Sequence, residues 1–357
     1  MTLTLAVKPY RRRFRAPLQT AHGVWSWRQG ALVQVTDGLG RVAYGEIAPI
    51  PWFGSETLED ALDFCRALAG QIDATIAIPE TLPATQFGLG SALAAWSDPP
   101  GDRQHHCRQH DRQIARDFAP LGDWPTGLAG NVGDCAAMVC GLLPAGAAML
   151  DHWSSLIAQG HQTLKWKIGV FGLDQELAWL QQVISTLPPD GRLRLDANGG
   201  LTRSQAEQWL ESCDRLNANP QCCTIEHVEQ PLPPDQWPDL VYLSQRYNTA
   251  IALDESVATL PQLRTCHRQG WPGVYVVKPA IAGAPQPLQD FCRQCSPQQL
   301  VFSSVFETRI GRQAALALAA ACYQEQTSIP ALGFGTQGQF GDDWDIWPPS
   351  QIWEQLI

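Results

Sequence analysis

Several features are scarce or missing in this 357-residue sequence. No apolar run approaches the roughly 18–20 residues that a membrane-spanning helix needs, and no apolar segment of the signal-peptide type follows the first residues. We therefore expect a cytoplasmic protein without a membrane partner. The formal net charge is −10 at pH 7, and basic residues cluster only at positions 11–15. This acidic balance argues against a general nucleic-acid-binding protein.

Lysine is also scarce, with four residues, Lys8, Lys165, Lys167 and Lys278, against 21 arginines. Three of the four lie in the apolar, strand-like runs TLKWKIGV and GVYVVKPA. A buried ammonium group is costly unless it is paired, and lysine, unlike arginine, can lose its proton when it is desolvated. These three lysines are therefore candidates for proton transfer. The alternative is that the chain simply favours arginine and that these lysines lie in strand-like runs by chance.

The eleven cysteines follow no disulfide-framework spacing. In a chain of this length we expect them to be reduced and mostly buried. Two groups contain residue types that bind metals, namely the pair Cys292 and Cys295 and the cluster His105, His106, Cys107 and His110. The pair has no second C-x-x-C partner, and the cluster lies in a polar, proline-punctuated stretch. Neither group is interpreted as a zinc or redox site.

The first third of the chain predicts a small α+β unit. The runs ALVQVTD and RVAYGEI flank Asp37-Gly38-Leu39-Gly40, which is a hairpin signal. Helical spacing follows at residues 56–69 and 86–96. Strands followed by helices favour an α+β domain over residues 1–120, with a boundary in the Pro-, Gly- and Asp-rich stretch 98–126.

From residue 127 to residue 335, short apolar runs alternate with helix-sized stretches. The runs are GLAGNV, TLKWKIGV, LRLDAN, CTIEHVEQP, IALDES, VYVVKPA, LVFSSVF and ALGFG. Eight strand signals of this kind favour a (β/α) barrel of the TIM type, because a doubly wound sheet usually has fewer strands. The predicted fold class is therefore α/β, a barrel preceded by an α+β domain.

Polar residues recur at the carboxyl ends of these predicted strands: Lys167, Asp196, Glu229, Asp254, Lys278, Ser303 and Ser304. Successive strand ends are 24 to 33 residues apart, which is the length of one βα unit, so we expect the set around one mouth of the barrel. Three carboxylates there would repel one another unless a cation neutralised them, and oxygen ligands favour Mg²⁺. Lysines on two sides of that ion would suit removal of a weakly acidic proton beside a carboxylate.

At these residues the sequence resembles the enolase superfamily, in its muconate-cycloisomerase-like branch. The matching motifs are K-x-K at Lys165 and Lys167, D-A-N at Asp196 to Asn198, E-Q-P at Glu229, D-E-S at Asp254 and V-K-P at Lys278. The resemblance implies a (β/α)7β modified TIM barrel whose three carboxylates, Asp196, Glu229 and Asp254, bind Mg²⁺. It also implies a capping domain, formed by the N-terminal residues together with a returning C-terminal segment at 336–357.

Further stretches resemble the o-succinylbenzoate synthases of that superfamily: GEIAPIPWFGSETLEDA, QFGLGSALAAW, GNVGD and FSSVFETRIG. This resemblance implies a Mg²⁺-dependent syn dehydration of 2-succinyl-6-hydroxy-2,4-cyclohexadiene-1-carboxylate to o-succinylbenzoate through an enediolate, in menaquinone or phylloquinone biosynthesis. Lys167 would remove the α-proton and later protonate the departing hydroxyl, with Lys165 assisting. Lys278 would stabilise the enediolate as a cation on the opposite face.

The same resemblance suggests residues that bind the substrate, a small-molecule carboxylate. Ser303 and Ser304 are candidates for binding the succinyl carboxylate, and Asn198 is a further candidate for substrate binding. Capping loops at residues 16–29 and 50–56 would close over the site. The oligomeric state stays open.

Two other functions compete with this one. An N-acylamino acid racemase or a dipeptide epimerase would use the same metal and lysines, with Lys167 and Lys278 exchanging a proton across two faces. A non-catalytic protein that retains the barrel is the third possibility. The motifs in the N-terminal third and the SSVFE stretch favour the synthase.

Four further features near the predicted site are not interpreted as metal ligands, catalytic groups or cofactor sites. We expect Glu255 to point the other way and to serve the structure or support the ligands, His227 to pack inside the barrel, and Arg194 to support the carboxylates. Residues 333–338 spell G-x-G-x-x-G, but no helix follows them. A dinucleotide site is therefore not expected there, and no organic cofactor is predicted.

Overall fold

The computed structural model describes residues 2–20, 23–96, 136–323, 328–336 and 338–357. The predictions for the His- and Cys-containing cluster at 105–110, for the boundary at 98–126, and for GLAGNV and GNVGD at 127–134 lie outside these residues. Within the described ranges, no helix is both long and apolar enough to cross a lipid bilayer.

An antiparallel sheet and two helices form the N-terminal unit, which confirms its predicted α+β fold. The sheet has the order β3-β2-β1-β4 and consists of β1 (Thr2–Thr20), β2 (Gly23–Thr36), β3 (Val42–Ile47) and β4 (Gln71–Asp73). Helix α1 (Leu58–Ala67) follows β3, and helix α2 (Pro83–Leu93) follows β4. Strands β2 and β3 form the predicted hairpin, in which the Asp37 carboxylate accepts N–H bonds of 2.9 Å from Leu39 and Arg41.

Strands β1 and β2 extend through much of residues 16–29, where a loop is predicted. Their pairing shifts between Arg13 and Leu18 and resumes with Leu18 opposite Trp25. Pro17 lies in the shifted stretch, where its missing N–H removes no ladder hydrogen bond. The loop prediction is therefore wrong for the described part of this segment, because an irregularity accommodates the proline within a strand.

Helix α2 packs directly on the backbone of β3. A Cβ atom added at Gly45 would lie 2.0 Å from the carbonyl oxygen of Gly88, and one added at Gly88 would lie 2.6 Å from the carbonyl oxygen of Glu46. Only glycine permits this approach of two backbones. The glycine-containing QFGLGS stretch is thus explained by helix–sheet packing.

The second unit is a parallel sheet that curls into a barrel. Its strands are β5 (Gly141–Leu142), β6 (Thr163–Lys167), β7 (Arg192–Asp196), β8 (Thr224–Glu229), β9 (Ala250–Leu253), β10 (Val274–Val277) and β11 (Leu300–Phe302), and consecutive strands are neighbours. The helices between them are α3 (Met149–Ala158), α4 (Leu173–Ile184), α5 (Arg203–Asn217), α6 (Trp237–Arg246), α7 (Leu260–Arg268), the short α8 (Pro279–Ala282) and α9 (Pro285–Cys292). Helix α10 (Arg309–Cys322) follows β11.

The backbone at Leu332 and Gly333 closes the barrel. The N–H of Gly333 donates to the carbonyl of Phe302 at 2.8 Å, and the N–H of Leu332 donates to the carbonyl of Met138 at 2.8 Å. Seven strands and this parallel-bridged segment give the predicted (β/α)7β barrel, and the fold class is confirmed. Strand β5, beside β6, was not predicted, since its two residues form no apolar run.

The two faces of the barrel strands have different chemistry. Leu193 and Leu195 of β7 are fully buried in the apolar layer between the strands and the helices. In the same layer, Trp166 of β6 packs edge-on against Trp209 of α5, with ring centroids 6.0 Å apart. The alternate positions carry Lys165 and Lys167 on β6, and Arg194 and Asp196 on β7. This period-2 alternation places the charged residues inside the barrel.

The C-terminal segment packs on the N-terminal sheet. Phe340 forms an antiparallel bridge with Phe14 of β1. Helix α11 (Pro349–Gln355) carries Trp353 into an apolar cluster that also contains Tyr10. The buried Arg12 forms an ion pair of 2.6 Å with Asp342. Apolar and ionic contacts thus attach this segment to β1.

Candidate active site

Strand register brings the predicted site residues into one layer at the carboxyl end of the barrel. Asp196 at the end of β7 pairs with Lys167 of β6 on one side and with Glu229 of β8 on the other. Asp254 directly follows β9, and Lys278 directly follows β10. The carboxylate-bearing strands therefore lie between the two strands that carry lysines.

Lys165 binds two of the three predicted metal ligands. Its Nζ atom lies 2.8 Å from Oδ2 of Asp196 and 2.7 Å from Oε1 of Glu229. Burial alone would lower the pKa of Lys165, but the charges of Asp196, Glu229 and Asp254 raise it well above its ordinary value. Burial raises the pKa of Glu229, yet Lys165 and Lys278 bring it below the usual range. Lys165 is therefore held as an ammonium group.

Lys278 approaches the same carboxylates from the other side. Its ammonium group forms a hydrogen-bonded ion pair with Asp254, and its charge also contributes to lowering the pKa of Glu229. Burial, followed by the charges of Glu255 and Glu229, raises the pKa of Asp254 well above its ordinary value even though Lys278 lowers it. Burial is thus the main reason why the charged form of Asp254 is disfavoured.

Glu255 does not point away from the site as predicted. Its Oε1 atom accepts a hydrogen bond of 3.2 Å from the side-chain amide of Asn198. Burial and then the charge of Asp196 raise the pKa of Glu255. The prediction fails because β9 ends at Leu253 and residues Glu255–Val257 form a short 3-10 helix, so the strand alternation does not continue.

The carboxylate oxygens of this site suit a hard divalent cation, although the side chains are not arranged around a common point as metal ligands would be. Among the described residues, no three acidic, histidine or cysteine side chains converge to coordinate an ion, and the ammonium groups of Lys165 and Lys278 contact the carboxylates instead. The raised pKa of Asp254 and the buried Oε2 atom of Glu255, which no described residue hydrogen-bonds, both indicate uncompensated acidic oxygen. Mg²⁺ is the ion that such oxygen ligands favour.

The three predicted substrate-binding residues already have protein partners. Asn198 donates its backbone N–H to Oδ1 of Asp196 at 3.0 Å. The hydroxyl of Ser303 donates to the carbonyl of Gly333 at 3.2 Å. Ser304 is buried and donates to Glu307 at 2.9 Å. Ser303, which is only half-buried, is the more accessible of the two serines.

His227 and Arg194 lie one layer below the carboxylates. His227 is buried, and burial together with the charge of Arg194 lowers its pKa to about 3, as expected of an interior residue. Arg194 hydrogen-bonds Glu226 at 2.6 Å and the carbonyl of Ala331 at 2.8 Å, so its hydrogen bonds do not go to the three site carboxylates. The register between β7 and β8 shifts between Leu193 and Arg194, so that Glu226 is the residue of β8 without a pairing partner.

Two positioning residues were missed by the sequence analysis. Gln230, the glutamine of E-Q-P, is fully buried, and its side-chain oxygen accepts the N–H of Asp254 at 3.0 Å. Glu176 of α4 accepts the N–H groups of Gly169 at 2.8 Å and of two further residues of the loop that follows Lys167. Gln230 could have been found, because it belongs to the E-Q-P motif. Glu176 could not, because it lies in an amphipathic helix whose sequence does not distinguish it from exposed acidic residues.

A segment of the N-terminal unit lies over the barrel mouth, within the predicted capping stretch 50–56. Residues Pro51–Phe53 form a short 3-10 helix. The Phe53 ring centroid is 3.9 Å from Nζ of Lys278, and a Cβ atom added at Gly54 would lie 3.5 Å from Cβ of Ala258. The N-terminal unit thus contributes directly to the site.

Two family models match the chain. The model described as MenC, N-terminal domain, matches residues 13–96, and the model described as Enolase C-terminal domain-like matches residues 148–343. The o-succinylbenzoate synthase of Thermosynechococcus vestitus is 38% identical over 97% of this chain and 97% of its own length. The synthase of Aliivibrio fischeri is 26% identical over 85% of this chain and 82% of its own length.

Solved structures give the same result. The o-succinylbenzoate synthase of Thermosynechococcus elongatus, complexed with Mg in the active site, superposes with a TM-score of 0.79 at 36% identity and covers 99% of this chain and 100% of its own. The L-Ala-D/L-Glu epimerase of Bacillus subtilis shares only the fold, with a TM-score of 0.69 at 19% identity over 95% and 91% of the two chains. The chain belongs to the o-succinylbenzoate synthase family of the enolase superfamily.

Proposed function

We propose that this protein is an o-succinylbenzoate synthase, a carbon–oxygen lyase that removes water from 2-succinyl-6-hydroxy-2,4-cyclohexadiene-1-carboxylate. The observation that carries the proposal is the 38% identity to a curated synthase over 97% of the chain. The site geometry supports it, because Lys165 and Lys278 contact a buried carboxylate cluster from different strands. A substrate carboxylate at this cluster would therefore meet a lysine on each side.

Lys167 is proposed as the general base and acid. A syn elimination breaks the α-C–H bond and the C–O bond on one face of the ring, so a single lysine can accept the proton and return it to the departing hydroxyl as water. Lys165 assists by holding a positive charge on the same face of β6. Lys278 stabilises negative charge from the opposite side as a cation.

Asp196, Glu229 and Asp254 are proposed to hold Mg²⁺. When bound there, the ion would neutralise the negative charge that develops on the substrate carboxylate. Gln230 fixes the backbone of Asp254, and Glu176 fixes the loop behind Lys167. Ser303 and Ser304, together with Asn198, are proposed to bind the substrate.

We also propose a cytoplasmic location and a role in menaquinone or phylloquinone biosynthesis. The nine cysteines within the described residues are free thiols, which supports a reducing compartment.

A direct assay tests the proposed function. Purified protein is incubated with Mg²⁺ and the cyclohexadiene substrate, and the loss of substrate absorbance is followed. We expect turnover that stops when a chelator removes the metal. Absence of turnover together with brisk epimerisation of an N-acylamino acid or a dipeptide would instead assign the racemase or epimerase activity, and absence of all three activities would assign a non-catalytic role.

A further inference from the structure

An aromatic ring of the N-terminal unit lies against the second lysine of the site. The Nζ atom of Lys278 is 3.9 Å from the centroid of the Phe53 ring. An ammonium group this close to a ring face is attracted by the ring quadrupole, and the attraction grows as water is excluded. The side chain of Lys278 is only 12% exposed, so water has little access to the pair.

Buried polar groups fix the backbone that leads to Phe53. The Arg28 side chain is 1% exposed and donates to four carbonyl oxygens, three of which belong to other segments: those of Ala48 (2.5 Å), Pro49 (2.9 Å) and Val305 (3.0 Å). The first two precede Phe53 in the chain, and the third belongs to the barrel loop that follows Ser303 and Ser304. One guanidinium group therefore holds this part of the capping segment against the barrel.

The residues after Phe53 are fixed as well. Glu56 is buried, and its carboxylate accepts the N–H groups of Ala84 at 3.0 Å and Thr85 at 2.6 Å at the start of α2. Gly54 lies against Ala258 of the barrel. The backbone on both sides of Phe53 is therefore held by contacts that do not involve Lys278.

We propose that Phe53 is a positioning residue for Lys278, and that its ring face, rather than its apolar volume, provides the effect. This inference rests on the proposed function, in which Lys278 acts as a fixed positive charge beside the reacting carboxylate. A ring face holds an ammonium group without accepting a proton from it. An aliphatic side chain of similar size would cover Lys278 but would not attract it.

Replacement of Phe53 by pentafluorophenylalanine, introduced at an amber codon, gives the sharpest test. This residue keeps the shape of the ring and reverses its quadrupole. With Mg²⁺-loaded enzyme we expect kcat for dehydration to fall about tenfold, equivalent to about 1.4 kcal/mol, while KM changes little. The same replacement at Phe64, a half-buried residue of α1, is the matched control and should change neither constant. An unchanged kcat for the position-53 variant would overturn the proposal.

Two ordinary substitutions decide the question if the fluorinated residue impairs folding. Phe53→Tyr keeps the ring face and should keep the wild-type kcat. Phe53→Leu keeps an apolar side chain and should show the loss of about tenfold in kcat. Equal losses in both variants, or a loss in neither, would overturn the proposal.

A second readout does not depend on turnover. Because the chain has only four lysines, acetylation by acetic anhydride can be followed at each of them by mass spectrometry. Lys278 should be acetylated faster in Phe53→Leu than in the wild type, with Lys8 as the internal reference, and equal rates would contradict the role of Phe53. If the wild type fails to dehydrate the substrate, the proposed function fails, and the labelling still decides whether Phe53 holds Lys278.

Discussion

The carboxylate of Glu46, on β3 of the N-terminal sheet, accepts hydrogen bonds from the backbone N–H of Thr308 at 2.9 Å and from its hydroxyl at 2.5 Å. Thr308 is the N-cap residue of helix α10 in the barrel. The same carboxylate accepts the N–H of Gly311 at 2.9 Å and the hydroxyl of Tyr10 at 2.5 Å. A carboxylate satisfies the unpaired N–H groups of a first helical turn and interacts favourably with the helix dipole. Glu46 therefore joins the two units of the fold.

Loss of this carboxylate should destabilise the protein. Glu46→Ala leaves several buried donors without an acceptor, so we expect the free energy of unfolding to fall by about 3 kcal/mol. Urea unfolding followed by circular dichroism measures the change. Glu59→Ala is the control, because Glu59 is an exposed residue of α1. A loss no larger than that of the control would show that Glu46 does not join the two units energetically.

The contribution of the β2–β3 hairpin should depend on pH through Asp37. Burial raises the pKa of this carboxyl, but hydrogen bonds from Arg41 and from the N–H of Leu39 outweigh burial and lower the pKa to about 2. In the unfolded chain the group titrates near its ordinary value of about 3.9. The stabilisation by ionised Asp37 is therefore fully present above about pH 4 and is lost as the pH falls through about 2.

The variant Asp37→Asn tests this dependence. Its melting temperature should lie below that of the wild type at about pH 6, and the difference should shrink at about pH 2.5, where the wild-type contribution is partly lost. Thermal unfolding at both pH values provides the comparison. A difference that stays constant with pH would mean that Asp37 acts through contacts that do not need its charge.

Much of the barrel could be predicted because each βα unit repeats the same pattern, a buried strand with a polar residue at its carboxyl end. Strand β7 alternates leucine with charged residues and ends at Asp196, strand β10 is an apolar run directly followed by Lys278, and successive βα units have similar length. This repetition predicted that Asp196, Glu229 and Asp254 end neighbouring strands, and the strand register agrees. A strand and its place in the barrel can be predicted where the strand is long enough to show a run of buried residues in the sequence.

The sequence could not predict features that depend on a single backbone irregularity. Alternation misplaced Glu255, because the chain turns immediately after β9. It also gave no sign of the β7–β8 register shift that leaves Glu226 without a pairing partner. Two-residue β5 has no periodicity to detect. The contact between Phe53 and Lys278 joins residues from different units. The sequence around either residue contains no pattern that predicts such a long-range contact.

Lys167→Ala should abolish dehydration without abolishing metal binding. If Lys167 is the general base and acid, its removal should lower kcat by about 10³-fold or more, whereas Mg²⁺ affinity should change little because the lysine is not a metal ligand. The absorbance assay and isothermal titration calorimetry with Mg²⁺ measure the two quantities. Lys8→Ala is the matched control, since Lys8 bonds the carbonyl groups of Trp353 and Leu356 at the C-terminus. Wild-type turnover by Lys167→Ala would place the base elsewhere.

Asp254→Asn, in contrast to Lys167→Ala, should weaken the binding of Mg²⁺. The Asp254 carboxyl is buried beside Glu229 and Glu255, and burial raises its pKa well above the ordinary value. An amide cannot neutralise a divalent ion, so we expect Mg²⁺ affinity to fall at least about 100-fold, more than the loss of an outer partner of a ligand usually costs. Calorimetry measures the affinity, and Asp290→Asn, an exposed change on α9, is the control. If Asp254→Asn bound Mg²⁺ like the wild type, the ion would not be held by this carboxylate.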